Sequence, residues 1–256
     1  MKKFLFLLVI LLSFSGTSYS IGSMCKDKPR TREESIKILN LTGKIIDYLD
    51  ENNADLAFIA RKNKDNHGVT YTHIGIAWKE DNGRWVMTNL LQSCEDRSVL
   101  ATYDDGLALF FAPVKTYKSL VLIPSGETQK ELKEAVKNKE IERFKGEQYS
   151  INANPWEDKY QNCVQYVLES YSYAKAGRTF ETRREAIDWY RENGFKPQKI
   201  KVNLLERVFG PMITTNVKFD DHKGREKNNE IEVATPVAVM RFIQKMEPES
   251  VMYEVK

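Results

Sequence analysis

The chain of 256 residues carries 39 Lys and Arg against 36 Asp and Glu, a formal charge of +3. So even a balance excludes the clustered basic face needed to track a phosphate backbone, and nucleic acid is not an expected partner. With 41% hydrophobic and 29% charged residues, 13 Gly and 8 Pro, the composition is globular rather than disordered or collagenous. A chain of this length can bury a sizeable core.

Met1-Lys2-Lys3 is a charged start, Phe4 to Phe14 is an apolar run broken only by Ser13, and Ser18 and Ser20 put small residues at the cleavage positions. This pattern predicts a signal peptide over residues 1–20 and a periplasmic or secreted mature chain, residues 21–256, forming a single domain. Losing Lys2 and Lys3 leaves a charge of +1. The apolar run is short of a membrane span. An uncleaved anchor is a weaker alternative, as is a lipoprotein acylated at Cys25, where Met24 occupies the place of a small residue.

Thr31-Arg32-Glu33-Glu34 is a capping box that opens a helix through Ile36, Leu39, Ile45, Ile46 and Leu49. Asp55 to Arg61 reads as a strand. Val69 to Trp78 reads as the next, its alternation placing Tyr71, His73, Gly75 and Ala77 on one face. Glu80 to Gly83 is a hairpin turn, and Arg84 to Leu91 returns as a strand. On that returning strand Thr88 and Asn89 are polar candidates to orient His73, and Asn89 suits the task because its amide oxygen can accept a ring N–H. By itself His73 reads as a satisfied core histidine.

Asp104 to Phe111 opens a short apolar helix, Lys118 to Ile123 is a buried strand, and Glu127 to Asn138 is an exposed helix with Glu/Lys pairs. Apolar residues at Val164, Val167, Leu168 and Tyr171 mark one face of a helix. Asn162 is its N-cap and Cys163 lies in its first turn. Free amide donors and the helix dipole there favour a thiolate, so a lowered thiol pKa is expected. The bland reading of Cys163 is a small buried hydrophobe. Thr182 to Asn193 is a helix stopped by Gly194. Strands at Glu230 to Thr235 and Val251 to Val255 flank a helix at Val237 to Lys245. The mixed order indicates an α+β fold with an antiparallel sheet packed on helices. Asp220 to Asn229 is the expected mobile loop, and Asp220-Asp221-His222 reads as a solvated or rim segment rather than a metal site. Tyr71, Tyr149, Trp156 and Tyr160 are candidate cleft aromatics. No cofactor and no metal is expected.

Cys25, Cys94 and Cys163 are the three cysteines. In an exported protein two are expected to pair, and the count alone leaves three pairings open. A strand carrying His73-Ile74-Gly75-Ile76 before a hairpin, with Asn162-Cys163 opening a much later helix, resembles the circularly permuted papain-like branch of the NlpC/P60 superfamily. More closely, the chain resembles a bacterial family, domain of unknown function 2145, over roughly residues 24–255. The resemblance rests on Met24 to Asp27, Leu56 to Arg61, Tyr71 to Gly75, Leu91 to Asp96, Asp105 to Leu107, Tyr149 to Pro155, Tyr160 to Cys163 and Asp220 to His222. Where the family pattern continues Asn-Gln-Trp after the cysteine, this chain has Val164-Gln165-Tyr166. The resemblance implies a papain-like fold in permuted order and a Cys25–Cys94 disulfide, leaving Cys163 as the free thiol.

On that reading Cys163 is the nucleophile, His73 the general base and Asn89 the residue that orients it. Oxyanion and cleft candidates are Gln161, Asn162, Tyr71 and Tyr160. The function expected is a thiol hydrolase or acyltransferase acting on an amide or ester of a cell-envelope substrate, either a cell-wall peptide or a lipid. The alternative is a non-catalytic periplasmic binding protein on the same scaffold.

Overall fold

The computed structural model describes residues 30–222 and 229–256. The expected signal peptide and Cys25 lie outside the described residues. Helix α1 (Arg32–Glu51) starts on the Thr31 capping box with Glu34. It is followed by β1 (Leu56–Asn66), β2 (Val69–Lys79), β3 (Trp85–Gln92), β4 (Leu100–Gly106) and the short α2 (Leu107–Phe110). Next come β5 (Ser119–Ile123), α3 (Gly126–Lys137), a 3-10 turn at Glu140–Phe144, α4 (Cys163–Lys175) and α5 (Arg183–Glu192). The chain closes with β6 (Gln198–Lys201), α6 (Leu204–Ile213), a 3-10 turn at Asp220–His222, β7 (Glu230–Val233), α7 (Pro236–Met246) and β8 (Val251–Val255).

Six strands form one sheet in the order β4-β3-β2-β1-β5-β8, antiparallel at every pairing. Strands β6 and β7 form a separate antiparallel pair. The main sheet is covered on both faces. One core cluster unites Phe58, Ile74, Ile76 and Trp78 with α3, α4, α5 and α7. The other unites Ile59, Ala77 and Met87 with α1 and α2 through Leu41, Ile45, Phe110 and Phe111. This is the α+β arrangement of an antiparallel sheet packed on helices, and the alternation of the strands assigns each face its own core.

Two features differ from the expected elements. Strand β4 is not among the expected elements; it pairs along β3 from Val86↔Gly106 to Gln92↔Leu100, and takes up Asp104 to Gly106, expected to open the helix. Helix α4 is buried on all sides rather than on one face, since every residue from Cys163 to Ala174 is buried. Its buried Ser170 and Ser172 return their hydroxyls to the Tyr166 and Leu168 carbonyls, at 2.7 and 2.8 Å, which lets polar residues go inside a helix without orphaned donors. Helix α3 is also less exposed than expected, with Thr128, Leu132, Ala135 and Val136 buried. Its Lys133 and Lys137 pair outward with Asp55 and Asp81 instead of along the helix.

Candidate active site at the start of helix α4

Helix α4 begins where a polar network fixes the chain. The Asn162 carbonyl side-chain oxygen caps the helix by accepting from the Val164 and Gln165 N–H groups at 3.0 and 2.9 Å, while its amide donates to the Ile151 carbonyl. Gln161, fully buried, gives both amide hydrogens to the Phe144 carbonyl and Glu169, each at 2.7 Å, and accepts from Gly146 N–H. Glu169 is held in turn by Arg183 through two bonds of 2.9 and 3.0 Å. Both Gln161 side-chain donors and one of Asn162's are thus committed to positioning the helix, a consequence of the rule that buried amides satisfy themselves.

Cys163 is a free thiol, 2% exposed. It lies against the Ile74 N–H of β2, with its own and the Val164 amide groups also facing the sulfur. Burial nevertheless pushes the thiol up, to about 11, against the pull of those amides and of the nearby Arg61 guanidinium. The expected lowered pKa is therefore corrected: desolvation outweighs the helix start, as it does for any thiol taken out of water without a full counter-charge.

His73 is 1% exposed, and its Nε2 lies 3.0 Å from Asn89 Oδ1. The Asn89 amide nitrogen donates to the Tyr103 carbonyl and to Asp105, both at 3.3 Å, which fixes which end of the amide meets the imidazole. An oxygen acceptor at Nε2 makes Nε2 the protonated nitrogen of the neutral ring, leaving Nδ1 as a bare lone pair. Nδ1 is buried and has no hydrogen-bond partner among the described residues. Burial, and secondarily Arg61, hold the ring's pKa well below its ordinary value, so His73 is neutral. Thr88, the other candidate on β3, points away and bonds Asp104 and the Trp78 indole.

A register shift in the hairpin decides which face each residue takes. Arg61 pairs with His73 but Lys62 pairs with Tyr71, so Thr72 is an extra residue in β2. The His73 ring packs 5.3 Å from Phe110 on the α2 side of the sheet. Tyr71 instead joins the opposite core, beside Ile74 and Ile76, and its hydroxyl donates to Glu254. Tyr71 is thus removed from the face it was expected to share with His73. Tyr160 is likewise engaged elsewhere, its hydroxyl 3.1 Å from Asp220. Gly75 permits the close approach of β3 that brings Asn89 to His73: a Cβ there would lie 2.6 Å from Met87 Sδ, 3.0 Å from the Thr88 carbonyl and 3.1 Å from Asn89 Cβ.

Arg61 is the functional candidate that the residue pattern did not single out. It ends the apolar run Leu56 to Ala60, is 5% exposed, bonds the Phe110 carbonyl and lies 5.1 Å from the Phe110 ring centroid. Burial lowers its pKa to about 10, and the charges that favour its cationic form are the ionisable Cys163 and Tyr149. The signal available in the sequence was an arginine closing an otherwise apolar buried strand.

The remaining candidates are placed apart. Asp221 and His222, expected in a solvated loop, are buried: Asp221 accepts from Asn154 N–H at 2.7 Å and His222 Nε2 lies 2.7 Å from the Asn152 carbonyl. They brace the segment that leads to α4, and residues 223–228 of the expected loop lie outside the described residues. Cys94 is disulfide-bonded, and Cys25 lies outside the described residues. No helix of the described residues is long and apolar enough to cross a membrane.

The family model for "Uncharacterized protein conserved in bacteria (DUF2145)" matches residues 48–243, and the chain belongs to that family. No curated protein and no solved structure matches the chain.

Proposed function

We propose that this member of the family is an exported thiol hydrolase or acyltransferase with a permuted papain-like site, acting on an amide or ester of the cell envelope. The observation that carries the reading is the His73–Asn89 hydrogen bond of 3.0 Å, which leaves a buried, unpartnered Nδ1 on the residue next to the one whose amide meets the Cys163 thiol. Neutral thiol and neutral imidazole define the resting state. On substrate binding the Cys163 sulfur attacks the carbonyl carbon as its proton passes to His73 Nδ1, a transfer that requires opening to bring together the ring, packed on the α2 side of the sheet, and the thiol, in the α4 core. The carbonyl oxygen becomes an oxyanion, held by the Cys163 N–H at the helix start and by the field of Arg61. Collapse breaks the bond to the amine or alcohol, which leaves with the proton from Nδ1. Water, deprotonated by the same nitrogen, then releases the acid and restores the thiol; an acceptor amine or alcohol in place of water gives transfer. Asn89 keeps the tautomer throughout, and Asp105 and Tyr103 keep Asn89.

Both reacting groups are shielded from solvent, so substrate access requires local opening. That shielding is also what favours the second reading, a non-catalytic envelope protein in which Cys163 is core. Labelling with iodoacetamide at graded pH, with mass-spectrometric mapping, and turnover of a p-nitrophenyl ester and a peptide anilide separate the two. Turnover that is lost in Cys163→Ser and in His73→Ala, with the fold retained, supports the enzyme. A folded wild type that turns over neither substrate and resists labelling up to the thiol's high pKa supports the scaffold.

Export and the Cys25–Cys94 bridge belong to the same proposal. Intact mass of the periplasmic protein is expected to begin at Ile21 and to show one alkylatable thiol before reduction and three after it. In the chain-entropy model, closing a loop of about 70 residues contributes about 4 kcal/mol.

A further inference from the structure

A cavity of about 790 Å³ lies away from Cys163, His73 and Asn89, between the end of the β1–β2 hairpin, the 194–198 turn and one face of α7. Its floor is apolar, with Phe242 and Tyr71, and its walls carry Lys62, Lys196, Arg241 and Lys245. No carboxylate is among the residues lining it. Lys62 has a counter-charge behind it, Glu254 at 3.8 Å, and that carboxylate is shared with the Tyr71 hydroxyl and Lys256. Among the described residues Lys245 donates only to the Asn193 carbonyl, at 3.4 Å. Among the described residues Lys196 and Arg241 make no ion pair, although the chain has 36 acidic residues with which to neutralise them. A concave site of this size with an apolar floor is of the order that holds a small organic ligand.

We propose that this cavity is a binding site for a phosphate ester. Cations converge from three separate elements, β1, the 194–198 turn and α7, which matches an anion bearing several oxygens around one centre better than a planar carboxylate gripped by one arginine fork. Thr235, Val237 and Ala238 at the positive end of α7 line the same cavity and add to the field. Phe242 and Tyr71 receive the organic part of the ester. The near-zero overall charge of the mature chain makes this a local site, not a general polyanion surface. It is independent of the thiol chemistry.

The test uses the mature chain and two probes that share the phosphate: inorganic pyrophosphate by calorimetry, and flotation with phosphatidylcholine vesicles with or without phosphatidylglycerol. Binding of pyrophosphate assigns the phosphate-recognising part of the site to a soluble ligand, and binding confined to the phosphatidylglycerol vesicles assigns it to a lipid headgroup. In either case Lys196→Gln with Arg241→Gln, both at exposed positions, is expected to weaken binding by roughly tenfold for each charge removed. Lys37→Gln with Lys44→Gln, on α1 across the sheet, and Cys163→Ala are expected to leave it unchanged. The proposal is overturned if neither probe binds, if the α1 variant weakens binding as much as the cavity variant, or if citrate competes as well as pyrophosphate.

Discussion

Two buried arginines flank the same stretch of core and are treated in opposite ways. Arg183 has a carboxylate: Glu169 grips it with two bonds, and the Asp158 and Tyr160 carbonyls accept two more at 2.6 and 3.2 Å. Its charge is favoured, because the attraction of Glu169 overcomes burial. Among the described residues Arg61 has only the Phe110 carbonyl and the face of the Phe110 ring, and burial wins. The first is a closed account of charge that anchors the approach to α4. The second leaves a cation beside an ionisable thiol and a bare imidazole nitrogen. Incomplete satisfaction of this kind is characteristic of sites rather than of scaffolds.

The sharpest way to break the contrast is to strip Arg183 of its anion. Glu169→Ala is expected to cost about 3–5 kcal/mol in denaturant unfolding, because the guanidinium stays buried without compensation. A loss below about 1 kcal/mol would show that the carbonyls alone suffice and that the two arginines are equivalent. A smaller effect comes from pH. The Cys163 thiol rises from an ordinary 9.0 to about 11 on folding. Its contribution is fully present below the unfolded value and is lost as pH rises through the folded one, an interval worth about 3 kcal/mol. Comparing the wild type with Cys163→Ala at both ends of that window isolates this slope from the tyrosines and lysines that titrate nearby; parallel curves would mean the thiol is not desolvated. Arg61→Met is expected to change stability least, by about 1 kcal/mol or less, since no partner anion is abandoned. It should instead displace the midpoint of Cys163 alkylation to still higher pH. A large loss of stability with unaltered alkylation would make Arg61 a structural residue like Arg183.

Much of the framework could be read from the residues because its signals are local. The Thr31 capping box and the Gly194 stop appear where the pattern put them, and β2 keeps its alternation from His73 onward. The His73–Asn89 contact was legible for the same reason, since a tight hairpin fixes which strand returns beside the histidine. What escaped is non-local. Strand β4, with its run Ala101 to Asp105, lacks strand character of its own and exists because β3 offers an edge. The roles of Gln161 and Asn162 depend on Phe144, Ile151 and Glu169, and no spacing near Cys163 announces those partners. The thiol's pKa is likewise set by how deeply the helices cover it, which the helix-start argument alone cannot weigh. One extra residue in β2 sufficed to separate Tyr71 from His73.

Gly75 has a consequence for how this site can vary. Its missing side chain works as a gauge block between β2 and β3, and the separation it sets is transmitted to Asn89, the residue opposite. A methyl group here would meet backbone at the Thr88 carbonyl, which has nowhere to turn, so the strand itself would have to back away. The imidazole would then lose its oxygen partner while every charged and nucleophilic residue of the site remained in place. Mutational tolerance at a position with no chemistry of its own is therefore expected to be as narrow as at the histidine, and random mutagenesis scored by function should recover Gly75 alongside it.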